Sequence, residues 1–259
     1  MNGEADPRRR LSVVVTTLDN AATLPALLAA VSFADELLVL DSGSSDATCA
    51  QARAAGARIE TQPFLGYGPQ KQKAIDLATH DWILLLDADE TLSPELAIRI
   101  QREMGAPMFD AYRIARRERL FWRWQHPASK HNLHLRLFNR QLARMSTDPI
   151  HAAPASSGRV GVINEPLLHW GEPDIHTKVD KINRYSTGVA EERTKRAPPW
   201  LYLRLLVYPP IVTLKHLLLK RQLLNGWAGW INSVTLGYYS FLKDAKVLER
   251  RHQQKSDRA

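Results

Sequence analysis

Short apolar runs recur along the first third of the chain, each closed by acidic or small polar residues. Leu11-Ser12-Val13-Val14-Val15-Thr16 is rich in β-branched residues and predicts a strand. Glu36 to Leu40 predicts a second strand, Ala57 to Glu60 a short third, and Asp81 to Leu86 a fourth. Helical segments separate them: Ala21 to Val31, a stretch capped by Ser45 or Asp46 that runs to Ala55 with Gly56 as its stop, and Gln70 to Thr79. Ser93-Pro94-Glu95 opens another helix, with serine at the cap and proline at the first position. Strands alternating with helices predict an α/β fold, a mostly parallel sheet with helices on both faces.

Beyond Met108 the rhythm changes. Phe109 to Ala115 predicts a strand, but Arg113 to Arg144 holds nine Lys and Arg against one acid, Glu118. Phe121, Trp122, Trp124, His126, His131 and His134 are interleaved with them. So basic and aromatic a stretch predicts a surface for an anionic or sugar-bearing substrate rather than a core element. The C-terminal part is different again. Leu201 to Leu219 is leucine-rich, interrupted by Arg204, Lys215 and the Pro209-Pro210 pair. Gln222 to Leu242 carries no charge over 21 residues, long enough to span a bilayer, yet it includes Gln222, Asn225, Asn232, Ser233 and Thr235. Its Trp227, Trp230, Tyr238, Tyr239 and Phe241, flanked by Lys220, Arg221, Lys243 and Lys246, predict an interfacial helical hairpin rather than a spanning helix.

Charge sharpens this division. Residues 1–175 carry 19 Lys and Arg against 21 Asp and Glu, a net of −2, and residues 176–259 carry 16 against 6, a net of +10. An anionic membrane surface is the partner this predicts, in preference to nucleic acid, because the same stretch is apolar and aromatic. One cysteine, Cys49, excludes an internal disulfide and a cysteine-based zinc site and fits a reducing compartment. Met1 to Arg10 is polar and lacks the apolar core of a signal peptide. The organisation expected is a disordered lead over 1–10, an α/β domain over 11–175 and a basic, aromatic helical extension over 176–259.

The candidate chemistry begins at Asp87-Ala88-Asp89-Glu90, directly after the apolar run Trp82 to Leu86. Carboxylates are costly in a core, but the C-terminal ends of parallel strands are where open α/β sheets bind ligands. Paired acids there suit a divalent cation bridging a diphosphate. Three further stations fall at comparable points: Thr17-Leu18-Asp19-Asn20, Asp41-Ser42-Gly43-Ser44-Ser45-Asp46, and Gly66-Tyr67-Gly68-Pro69-Gln70-Lys71 at a helix start. The chain lacks a Gly-x-Gly-x-x-Gly turn after its first strand, which argues against a dinucleotide-binding oxidoreductase.

In this order the four stations resemble glycosyltransferase family 2, with similarity over about residues 11 to 170. Leu40-Asp41-Ser42-Gly43-Ser44, Gly66-Tyr67-Gly68 and Asp87-Ala88-Asp89-Glu90 look more narrowly like the lipopolysaccharide core glucosyltransferases of Gram-negative bacteria. The resemblance implies a GT-A nucleotide-sugar-binding fold and an inverting transfer of a hexose, glucose in the narrower family. The donor would be a nucleotide sugar, expected to be a UDP-sugar, and the acceptor a lipid-linked glycan such as the lipopolysaccharide inner core, at the cytoplasmic face of the inner membrane. A polyprenyl phosphate acceptor and a degenerate membrane-bound scaffold are the alternatives.

The resemblance also assigns residues. Thr17, Asp19, Asp41, Ser42, Lys71 and Asp87 would bind the nucleotide sugar, and Asp89 would hold Mg²⁺ or Mn²⁺. Arg116 and Arg136, in the Arg136-Leu137-Phe138-Asn139-Arg140 stretch, would contact the acceptor. Two departures stand out. Asp19-Asn20 replaces the family's Asn-Glu, and Ala152 takes the place of the acid expected after His151. The general base is then Asp148 or His151, or another acid such as Glu90, or the protein is inactive.

Overall fold

A computed structural model describes residues 8–146, 153–194 and 200–256 of the chain. They form two compact units: the chain up to Arg117 together with Asn132–Trp170, and Glu118–His131 together with the chain from Gly171.

The first unit begins β1 (Leu11–Thr17), α1 (Leu24–Ala30), β2 (Glu36–Asp41), α2 (Thr48–Ala54), β3 (Arg58–Thr61), α3 (Tyr67–Leu77) and β4 (Trp82–Asp87). It continues β5 (Glu90–Leu92), α4 (Pro94–Gly105) and β6 (Ala111–Leu120). The strand β7 (Arg123–Trp124) pairs with the end of β6. Beyond it come β8 (Asn132–Asn139), β9 (Ala143–Met145), β10 (Pro154–Ser156) and β11 (Val160–His169). The main sheet runs β3-β2-β1-β4-β8-β6-β11-β5. Its first four strands are parallel, as the alternating pattern predicts. From β4–β8 onward the pairings β4–β8, β6–β8 and β11–β5 are antiparallel, so the sheet is mixed.

Alternation along the strands fills both faces. Val13, Val15, Leu84 and Leu86 pack with Leu24 and Leu27 of α1 and Leu96 and Ile100 of α4. Val14, Leu38, Leu40, Ile83 and Leu85 pack on the other face with Ala74 and Ile75 of α3. The predicted cap of α4 is present, with Ser93 Oγ accepting from the Leu96 N–H at 3.2 Å. The stretch expected to form a basic surface is corrected in one part. β8 lies inside the sheet, and its Leu137 and Phe138 are fully buried. Arginines flanking these residues hide the alternation when the stretch is read by composition.

Glu36 ties the other end of the parallel strands. Its carboxylate accepts from Ser12 Oγ on β1, from Thr79 after α3, and from Arg58 on β3 at 2.8 Å. Burial opposes its ionisation, but these donors outweigh it and hold the carboxyl at about 2.

Apart from β7 and the end of β6, the second unit is helical. α5 (Ile175–Arg193) starts with Asp174 Oδ1 accepting from the Thr177 N–H at 2.7 Å. α6 (Leu201–Leu214) passes through a π turn, Lys215–Leu219, and a 3₁₀ turn, Gln222–Asn225, into α7 (Gly226–Ser256). α6 and α7 pack against each other as a helical hairpin. A Cβ on Gly237 would meet Thr213 Oγ1 at 2.1 Å, and one on Gly229 would meet the Gln222 carbonyl at 1.9 Å, so glycine permits both close approaches. Arg204 donates to Asp244 across the hairpin at 2.9 Å. Among the described residues no helix is long and apolar enough to cross a membrane.

Two outcomes follow from this packing. Leu84→Ala should cost about 2–5 kcal/mol in urea denaturation, because a fully buried central-strand side chain leaves a cavity. Glu36 has a depressed folded value, so its contribution is present above its ordinary value of 4.5 and is lost as pH falls toward about 2. Glu36→Gln should therefore flatten the acid limb of the stability curve in that window, as measured by denaturant melts at stepped pH.

Candidate active site

The parallel register aligns the strand ends. Thr17 pairs with Asp41, Asp41 with Thr61, and Thr16 with Asp87. Thr17, Asp41 and Asp87 therefore stand at one edge of the sheet, as the pattern of strand ends predicts.

Asp19 and Asp41 organise the loops there. Asp19 sits at φ 51° and its Oδ1 accepts from the Ser45 N–H at 2.7 Å and the Asp46 N–H at 3.3 Å. A left-handed backbone is tolerable for aspartate, and here it ties the β1 loop to the β2 loop. Asp41 Oδ2 accepts from the Gly43 and Ser44 N–H groups, both at 2.9 Å, and its Oδ1 from Ser44 Oγ. Burial pushes the Asp41 carboxyl up, but these bonds prevail and keep it below its ordinary value. The Ser42 N–H donates to the Thr17 carbonyl at 2.9 Å, and Gln70 Nε2 on α3 donates to Ser42 Oγ at 3.1 Å. Thr17 is itself buried and donates to Asn20 Oδ1 at 3.0 Å.

A charge cluster surrounds the end of β4. Leu84 pairs with Leu137, which brings Arg136 on β8 toward Asp87. Arg136 Nη2 lies 2.7 Å from Asp87 Oδ2 and 2.6 Å from Glu90 Oε1. Arg116 Nη1 reaches the same Glu90 oxygen at 3.3 Å. Glu90 Oε2 accepts from the Asp87 N–H at 3.1 Å, closing a ring between the two acids. Lys71, on the first turns of α3, pairs with Asp87 Oδ1. Burial alone would raise the Asp87 carboxyl; the Arg136 and Lys71 charges override it and hold the group far below the usual carboxylate range. Burial likewise works against the Arg136 charge, and Glu90 and Asp87 more than restore it.

These contacts change several assignments. Arg136, expected at the acceptor, has a side chain only 6% exposed and engages Asp87 and Glu90. Arg116 joins it at Glu90. Glu90, one of the possible bases, has a fully buried side chain held by two arginines, an arrangement that suits an anchor. Asp148 and His151 lie outside the described residues.

Asp89 stands apart from this cluster. Its carboxylate is 40% exposed and its Oδ2 lies 3.2 Å from His169 Nε2. The β11–β5 register explains the approach, since His169 pairs with Glu90 and the Trp170 N–H donates to the Asp89 carbonyl at 3.0 Å. Thr23 Oγ1 holds the intervening Ala88 carbonyl at 2.9 Å. Sequence reading missed His169, which lies 80 positions from Asp89 and has no local signature among the nine histidines. Among the described residues no group of three or more His, Cys, Asp or Glu gathers as a metal site. Asp89 and His169 offer one oxygen and one nitrogen, a partial set that fits a hard divalent cation also bound by phosphate and water.

Removing Arg136 leaves Glu90 buried with a weaker partner, so Arg136→Ala should cost about 3–5 kcal/mol. Arg136→Ala combined with Glu90→Ala should cost less than the sum of the single changes, because the second removes the charge stranded by the first. Denaturation of the four proteins of that cycle checks it; strict additivity would contradict the coupling.

Comparison with known proteins bears on this geometry. The sequence aligns over 253 residues, at 28% identity, with the lipopolysaccharide core biosynthesis glycosyltransferase LpsC of Rhizobium meliloti, covering 94% of each chain. An uncharacterized glycosyltransferase of Rickettsia felis is 28% identical over 261 residues, covering 93% of this chain and 90% of that one. The fold is similar to that of the mannosyltransferase PcManGT from Pyrobaculum calidifontis, with a TM-score of 0.55 at 16% identity over 95% of this chain and 90% of the other. The likeness identifies the fold as GT-A-like. The family model for glycosyl transferase family 2 matches residues 12–165, more than half of the chain, and the protein therefore belongs to that glycosyltransferase family.

Proposed function

We propose that this glycosyltransferase moves a hexose, glucose by the narrower resemblance, from a nucleotide sugar to a lipid-linked glycan such as the lipopolysaccharide core, with inversion. The observation that carries the reading is the pairing of an accessible acid, Asp89 beside His169, with a neighbouring acid, Asp87, locked in its ionised state. The name of the LpsC relative supports the class of acceptor, and PcManGT was solved with GDP-Man and Mn²⁺, which supports a nucleotide-sugar donor and a divalent metal.

In this reading Asp89 and His169 would hold Mg²⁺ or Mn²⁺. When bound, such an ion neutralises charge developing on the departing diphosphate. Lys71, close to a helix N-terminus, adds a cation on the same side. Thr17, Asp19, Asp41 and Ser42 shape the neighbouring loops around the nucleoside. Asp87, fixed by Arg136, would orient the ribose or a metal-bound water. Arg136 is thus assigned a positioning role, and Arg116 acts with it at Glu90. Asp148 and His151 are the candidates for the base that takes the acceptor proton. We assign the reaction to the cytoplasmic face of the inner membrane, where the lipid-linked acceptor would meet the donor.

The first test is thermal stabilisation by UDP-, GDP- and dTDP-sugars, with and without Mn²⁺. A ligand that binds only the native state at 100 times its Kd adds about 2.7 kcal/mol. One nucleotide should stabilise the protein in a Mn²⁺-dependent way; no shift with any of them would contradict the proposal. Asp89→Asn should abolish turnover and the Mn²⁺-dependent part of the shift, while melting at the unliganded temperature of the parent. Retained turnover would remove Asp89 from the role.

A further inference from the structure

The α6–α7 hairpin exposes its largest apolar side chains in an ordered way. On α6, Leu203, Val207, Ile211 and Leu214 recur at helical spacing and are between 44% and 62% exposed. On α7, Trp227, Trp230, Val234, Tyr238 and Phe241 recur likewise, with Trp227 77% exposed. These are not the positions that pack the helices together, which include Leu201, Thr213, Gly237 and Asp244. At the tip between them Leu218, Leu219, Leu223 and Leu224 also face outward. Apolar exposure on this scale marks an interaction surface.

The tip is held rather than loose. Asn225 is fully buried; its Oδ1 accepts from the His126 N–H at 2.6 Å and its Nδ2 donates to Ser129 Oγ at 2.9 Å. Arg123 donates to the Asn225 carbonyl at 3.2 Å, and the Lys130 N–H to the Lys220 carbonyl at 3.3 Å. This brace sets Lys130 beside Lys220, which also feels the charge of Lys215. Burial and the charges of Lys130 and Lys215 push the Lys220 ammonium below its ordinary value, the electrostatic mark of crowded cations. From Arg193 to Lys243 the chain has eight Lys and Arg and not one Asp or Glu.

Apolar stripes ending in a cationic tip complement one class of surface. A second copy of the chain meeting this face isologously would bring like charges together, whereas anionic lipid neutralises them. We propose that the outer face of α6 and the tip of the α6–α7 hairpin dock onto a bilayer containing anionic phospholipid. The leucines and Trp227 enter the headgroup–acyl boundary, and the lysines meet lipid phosphates. The hairpin lies in the interface and does not span it, in keeping with the absence of a spanning helix among the described residues. This deepens the lipid-linked acceptor reading and rests on it only for its biological setting.

Flotation of the full chain with phosphatidylglycerol–phosphatidylethanolamine vesicles, and with phosphatidylcholine vesicles, tests it. The protein should float with the anionic vesicles, less so at high salt, and only weakly with phosphatidylcholine. Leu219→Asp with Leu223→Asp, and separately Lys215→Glu with Lys220→Glu, should each cut bound protein about tenfold. Both double variants should keep the parent's melting temperature and its stabilisation by donor nucleotide. Flotation of the variants equal to the parent's, equal binding to both vesicle types, or no flotation with a lipid-free dimer that the leucine variant breaks, would each overturn the docking face. Flotation as expected with no donor-induced stabilisation would instead overturn the transferase reading and leave the face standing.

Discussion

Glu90 is a carboxylate buried in the sheet, and the arrangement of the site follows from satisfying it. An isolated buried charge costs several kcal/mol, so Glu90 persists only with cations and donors aimed at it. Arg136 from β8 and Arg116 from β6 supply the cations, and the Asp87 N–H supplies a donor. One guanidinium then serves two acids, because Arg136 bonds Asp87 as well. Asp87 is thereby fixed in position and charge at the end of a strand whose other residues are apolar. The next residues must turn outward, and Asp89 emerges into solvent with its backbone held by Trp170 and Ala88 held by Thr23. A fixed, ionised acid behind an exposed one is the arrangement on which the proposed metal and diphosphate binding rests.

Much of this was legible in the residues. The β-branched and leucine runs of β1, β2 and β4 have a period and composition that local physics decides, and the acids closing them mark the carboxyl edge of the sheet. Other parts were decided by distant pairing. Arg136 reads as a surface cation because its neighbours Arg140 and Arg144 are basic; only the antiparallel register with β4 turns it inward. His169 meets Asp89 through the β11–β5 ladder, which nothing in its local sequence announces. Glu90 reads as available for proton transfer because exposure is not written in a short acidic motif. The extension shows the same contrast: aromatic and cationic residues announce a helical hairpin, while the bracing of its tip through Asn225 depends on the segment around Ser129.

The two units suggest a division of labour. In the first, charge is concentrated inside the fold and converted into fixed orientation at a sheet edge. In the second, it is left on the outside among apolar stripes. The proposed transfer from a water-soluble donor to a lipid-linked acceptor would use both kinds of surface.

The most direct test of this account is the affinity of Glu90→Gln for the donor nucleotide with Mn²⁺, measured by calorimetry under conditions where the variant is fully folded. The amide would keep the size of the side chain and surrender the charge that anchors Arg136. If the buried acid positions Asp87, donor binding should weaken by about tenfold or more, as loss of supporting contacts around a metal site commonly does. An affinity equal to the parent's would show that Asp87 needs no such support and would contradict the central claim.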